Sequence, residues 1–176
     1  ENSNHIDINN ENNIKKYIEN IINDINIVIL SDYAKGSLTT NICQYIINIC
    51  NKNKIYTLID PKGTDYSKYK NCTLIKPNKK EANDFYKQDI NELNILDFSN
   101  KLLKKYNIKY ILNTLGSDGM RFIYKENNEI KIIKKNIISS EVIDVIGCGD
   151  TIISSISVYL SNNKLNINEL LNILTH

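Results

Sequence analysis

Four short apolar runs, each closed by a turn residue or a proline, alternate with segments of helical periodicity. That alternation constrains the fold more than any other feature of the chain. The runs are "INIVILSD", "KIYTLID", "CTLIKP" and "IKYILNTLG". They are short and rich in β-branched residues, as strands buried on both faces are. Between them stand "LTTNICQYIINICNKN", with Thr39 or Thr40 as its cap, then "NKKEANDFYKQ" and "INELNILDFSNKLLKKYN", all with helical spacing. Strands alternating with helices predict an α/β fold, a mainly parallel sheet with helices on both faces. "MRFIYKENNEIKIIKK" breaks the alternation and reads as two strands joined at Glu126-Asn127-Asn128, a late antiparallel hairpin. A helix is expected from about Cys148 to Leu160, and a short one in "INELLNILTH". Residues 1–12 read as a polar lead-in and "IKKYIENIIND" as a helix. The expected organisation is therefore a lead-in and helix over 1–25 and one α/β region over 26–176.

Composition serves here mainly to exclude. A net charge of +2 over 176 residues marks no nucleic-acid or anionic-membrane surface. No window reaches the roughly 20 apolar residues that span a bilayer, so neither nucleic acid nor membrane is expected as a partner. Cys43, Cys50, Cys72 and Cys148 form no CxxC pair, and His5 and His176 sit near the chain ends. A zinc site and a disulfide framework are both disfavoured, and a reducing cytoplasm is the expected compartment. Isoleucine, asparagine and lysine dominate throughout, and Arg121 is the sole arginine. Against that background asparagine says less than usual about turns and isoleucine less about strands.

In a parallel sheet, ligands bind beyond the carboxyl ends of the strands. The informative residues fall at those ends: Ser31-Asp32, Asp60-Pro61-Lys62-Gly63, Lys76-Pro77-Asn78, Thr114-Leu115-Gly116 and the turn Gly147–Asp150. The last of these, in "EVIDVIGCGDTIISSI", places two glycines and a carboxylate where a loop becomes a helix. A helix N-terminus leaves backbone N–H groups unpaired and carries about half a positive charge, and glycines let an anion approach it closely. A carboxylate beside bound phosphate is repelled. Asp150 makes chemical sense there if it takes a proton from an attacking hydroxyl while the cradle stabilises the transferred group. The structural alternative is a first-turn aspartate that gains about 0.3–1 kcal/mol from the helix dipole alone. No GxxxxGK[ST] loop occurs.

"DVIGCGDT" resembles the D-T-x-G-A-G-D signature of the ribokinase-like (PfkB) sugar kinases, with Asp144, Gly147, Gly149 and Asp150 on the pattern and Val145, Ile146 and Cys148 departing from it. "LSDYAKGSLT" and "DPKGTDYSKYKNCTLIKPNKKEA" look like segments of the D-glycero-β-D-manno-heptose-7-phosphate kinases, the kinase half of a bifunctional heptose enzyme. "NTLGSDGM" matches a looser T-x-G-x-x-G-M element. The likeness covers roughly residues 26–160. It implies a ribokinase-like, Rossmann-like three-layer fold, present as a partial domain, and transfer of a phosphoryl group from ATP to a hydroxyl of a phosphorylated heptose.

The resemblance also implies roles. Asp150 is similar to the family's catalytic base, and Gly147, Cys148 and Gly149 to its anion hole. Asn78, Lys79, Lys80 and Glu81 fall on the segment at the ATP phosphates, with Glu81 approaching Mg²⁺ through water. Thr114, Gly116 and Gly119 fall where the family lines the nucleotide, and Asp144 would brace the loop or approach the metal. Other readings stand beside these: Asn78 and Glu81 also spell a capping box, and Gly116 and Gly119 also suit turns. Lys35 and Lys62 are strand-end lysines, read as solvated surface. The implied cofactors are ATP and Mg²⁺ and the implied partner is a sugar phosphate.

The family's long region before the segment matching Leu30 has no counterpart here. That region carries the first strands, most acceptor contacts and a β lid that often forms a dimer contact. The family also continues past the position of His176. The expectation is an exposed strand edge and little or no kinase activity in this polypeptide alone. A different sugar or nucleoside specificity within the family, and a non-catalytic truncated remnant, are the competing readings.

Overall fold

The apolar runs pair in chain order. In the computed structural model, which describes residues 5–136, 148–162 and 166–174, β1 (Ile27–Ser31), β2 (Tyr56–Asp60), β3 (Leu74–Ile75) and β4 (Tyr110–Thr114) are parallel neighbours. Strands β5 (Met120–Glu126) and β6 (Glu129–Lys135) extend the sheet to six strands in antiparallel sense. The hairpin turns on Asn127 and Asn128 at φ 48° and 68°, as a tight turn matched to strand twist requires.

Right-handed crossovers between strands that advance in one direction put the intervening helices on one face. The helices α2 (Thr40–Lys52), α3 (Lys79–Tyr86) and α4 (Ile95–Asn100) share a core there with α1 (Ile8–Ile21). The chain reaches the second face only after the hairpin, through α5 (Cys148–Asn162) and α6 (Ile167–Ile173). Neighbouring strand residues therefore serve opposite cores. Ile59, Ile75 and Ile111 pack with Ile42, Phe98 and Leu102, while Leu58, Leu74 and Leu112 pack with Ile153, Ile156 and Leu170. Burial on both faces is why the runs read as continuously apolar.

Three elements depart from the sequence expectation. Helix α1 starts at Ile8, inside the stretch read as lead-in: the Asp7 carboxylate accepts from the Asn9 and Asn10 amides at 2.8 and 2.9 Å, and Glu11 is buried against Thr39 and Asn41. Strand β3 is only two residues long. The Thr57 amide donates to Thr73 Oγ1 and the Thr73 amide to Thr57 Oγ1, so hydroxyls partly replace ladder bonds. The helix read over 90–107 begins at Ile95 and ends in a π-helical turn, Lys101–Lys105. No helix among the described residues is long and apolar enough to cross a membrane.

Just past β1, the buried Asp32 ties the crossover down, accepting from the Ala34 amide at 2.7 Å, from Lys68 Nζ and from the Tyr69 hydroxyl. Burial pushes its carboxyl up, yet Lys68, Tyr69 and the Ala34 amide together hold it below the ordinary aspartate value. A carboxyl lowered on folding contributes stability that is full above its unfolded value, about 3.9, and lost as pH falls through the folded one. Asp32→Asn should cost about 1–3 kcal/mol at neutral pH. Thermal melts should also show it losing less stability than the parent chain on acidification from about pH 7 to about pH 3.

Candidate functional site

The parallel register sets the carboxyl ends of β1 to β4 side by side: Ser31 lies opposite Asp60, and Ile59 opposite Ile75. The Lys76 amide donates to the Ile59 carbonyl at 2.9 Å, and the Thr114 amide to the Pro77 carbonyl at 3.1 Å. Asn113, itself buried, adds a side-chain bond from Nδ2 to the same Pro77 carbonyl at 3.0 Å. These bonds place Asp60, Lys76, Asn78 and Thr114 along one rim, with Asn78 bridged to Thr114.

Lys76 is the least expected member. Only 2% of it is exposed, and its ammonium pairs with Asp60 Oδ1 at 3.0 Å. The start of α5 lies directly against this pair. A Cβ on Gly149 would stand 3.0 Å from Lys76 Nζ and 3.9 Å from Asp60 Oδ2. A buried cation is thus held at the positive end of a helix, where cations are unfavourable and anions favourable. Two sources of positive potential converge on one point, and the glycine keeps that point open to close approach.

Carboxylates surround it. Burial pushes the Asp60 carboxyl above its ordinary value; Lys76 offsets part of this, and the charges of Glu81 and Asp150 push it further up. Glu81 is buried at the start of α3, accepting from Lys62 Nζ at 3.1 Å through Oε1 and from the Asn78 amide at 3.0 Å through Oε2. Asn78 Oδ1 in turn accepts from the Glu81 amide at 2.8 Å, so the capping box is formed. Lys62, read from the sequence as solvated, is engaged with that carboxylate. Asp150 is exposed in the first turn of α5.

Of the remaining expected site residues, Lys79 is paired with Asp118 at 3.0 Å, which ties α3 to the turn Gly116–Asp118. Gly119 closes that turn at φ 85°; a Cβ there would stand 2.0 Å from the Lys135 carbonyl oxygen, so close packing alone demands glycine. Lys80 is exposed on α3 and makes none of these contacts. Gly147 and Asp144 lie outside the described residues, and Cys148 is the first residue of α5. Sequence reasoning flagged Asp60 and Lys76 as strand-end residues without giving them a role. The signal was available: a lysine closing an apolar run is buried unless the run ends early, and a buried lysine needs an acid.

Residues 2–170 match the pfkB family carbohydrate kinases. The chain belongs to that family. Among curated pfkB relatives, the bifunctional protein HldE of Aliarcobacter butzleri is 47% identical over 168 residues, covering 93% of this chain and 34% of that protein. HldE of Campylobacter concisus is 44% identical over 136 residues, covering 77% and 28%. The chain thus spans about a third of the length of these relatives. The phosphofructokinase-2 from Escherichia coli in complex with potassium superposes with a TM-score of 0.76 at 18% identity, over 94% of this chain and 54% of that one. A ribokinase from Arabidopsis thaliana complexed with ribose and ATP gives 0.71 at 20% identity, over 97% and 51%. The pfkB fold expected from the sequence is the one adopted.

Gly149→Ala separates anion binding from folding. Alanine favours a helix over glycine by up to about 1 kcal/mol, while its methyl meets the Lys76 ammonium. The expected result is an unchanged or slightly raised Tm with MgATP affinity lowered several-fold in calorimetry.

Proposed function

We propose that the chain forms the nucleotide and phosphoryl-transfer region of an ATP-dependent sugar kinase. Its acceptor is a phosphorylated heptose, D-glycero-β-D-manno-heptose 7-phosphate, converted to the 1,7-bisphosphate in the cytoplasm for lipopolysaccharide core precursors. The observation that carries the reading is the buried Lys76 ammonium beneath the first turn of α5. Asp60 answers the Lys76 charge, and an anion seated against the α5 amides would answer the positive end of the helix. The "DPKGTDYSKY" segment and the relatives named HldE support the heptose over other sugars.

In this reading the γ-phosphoryl group rests against the α5 amides and Lys76. The Asp150 carboxylate, exposed beside it, accepts the proton of the sugar hydroxyl as that oxygen attacks phosphorus; the bond to the β-phosphate oxygen breaks and ADP leaves. Among the described residues no three His, Cys, Asp or Glu side chains converge to hold a metal directly. The Asp60, Glu81 and Asp150 carboxylates share one field, however, and hard oxygens at a distance suit a Mg²⁺ that keeps its waters. Bound there, Mg²⁺ would neutralise charge on the ATP phosphates. Asn78, Lys79, Thr114, Gly116 and Gly119 border the nucleotide in this reading.

Asp150→Asn tests the division of labour. Removing a carboxylate that repels phosphate should leave MgATP affinity equal or tighter, while transfer to heptose 7-phosphate, assayed with the family's acceptor-binding region present and followed by ADP release, falls about 10²–10⁴-fold. Weaker nucleotide binding with transfer intact would assign Asp150 to the nucleotide and remove the base from the scheme.

A further inference from the structure

The single arginine of the chain is partly buried on the other face of the sheet. Met120 and Phe122 pack under α5, and Ile123 packs on the opposite side, so Arg121 points away from the α5 turn. Its side chain is 14% exposed, and its Nε has no partner among the described residues. Antiparallel pairing sets Lys134 directly opposite it on the same face. Like charges so placed repel, and both turn to one carboxylate: Glu92 Oε1 lies 3.4 Å from Arg121 Nη2 and 2.6 Å from Lys134 Nζ. Lys134 holds that carboxyl below the ordinary glutamate value.

This counterion is a poor one. Glu92 stands on the loop between α3 and α4 with 65% of its side chain exposed, and it meets a guanidinium with five donors through one long contact. Beside it lies a pocket of about 240 Å³ lined by Lys79, Arg121 and Lys134, with Ile90, Leu115 and Met120 among its apolar residues. Three cations face it, and Glu92 and Asp118 supply two carboxylates.

We propose that this pocket is a phosphate-binding site, with Glu92 the internal anion that an incoming phosphate group replaces at Arg121 and Lys134. A phosphate offers several acceptor oxygens to a guanidinium fork where Glu92 offers one. The site is separate from the α5 turn, but Lys79, through Asp118, joins it to the turn Gly116–Asp118. The phosphate is either free or borne on a nucleotide, and the test distinguishes the two.

Inorganic phosphate is titrated calorimetrically into the full chain, Glu92→Gln, Glu92→Gln/Arg121→Gln and Lys76→Met/Asp60→Asn. Because Glu92 is exposed, its substitution leaves folding intact. Its loss should raise phosphate affinity about tenfold, the value of one charge-assisted bond. Arg121→Gln should abolish that gain, and the Lys76→Met/Asp60→Asn pair should leave Arg121-dependent binding in place. No gain with Glu92→Gln, or a gain that survives Arg121→Gln, overturns the site. Competition by ADP for the Arg121-dependent site identifies a nucleotide phosphate, and absence of competition a free one; each supports the chemistry.

Discussion

The candidate site depends on an ion pair placed where it should not be comfortable. Lys76 sits buried against the N-terminal turn of α5 with Asp60 as its partner. Two charges removed from water repay their desolvation only with excellent geometry, so such pairs are weak contributors to stability. Here the partner carboxylate is itself pushed toward protonation by its burial and by Glu81 and Asp150. An arrangement that stability alone would not retain is what the proposed phosphate seat requires.

Topology delivers the two halves of that seat from opposite directions. The strands advance in one direction across the sheet with their helices on one face, and the rim of strand ends is complete by Thr114. Helix α5 then returns across the other face after the hairpin, bringing Gly149 over a pair that precedes it by more than seventy positions in sequence. Asp150 lies in the same first turn of α5, so the fold carries the proposed base on the helix that approaches the pair. The fold thereby fixes the relative position of groups that must not drift if transfer is to proceed in line.

Much of this was legible in the residues. Continuous apolar runs gave parallel strands because both faces are covered, and Thr39 and the Glu126-Asn127-Asn128 turn stood where caps and hairpins need them. The Asn78–Glu81 spacing was read both as a nucleotide segment and as a capping box; the box is formed, and the same carboxylate also meets Lys62. What the sequence hid was long-range electrostatics. Nothing local says that Lys76 and Asp60 meet, or that Lys62 reaches Glu81, because those contacts follow from strand register rather than from spacing. The early start of α1 was hidden for another reason: asparagine is so abundant here that its usual meaning as a turn former is diluted.

The most direct measurement of the central claim is calorimetric titration of MgATP into the Lys76→Met/Asp60→Asn pair, which removes the cation without stranding a buried carboxylate. The account predicts that the variant stays folded and loses about tenfold or more in affinity, the loss expected for a charged hydrogen bond to phosphate. Undiminished affinity in a folded variant would show that the buried lysine is structural and that the phosphate seat lies elsewhere.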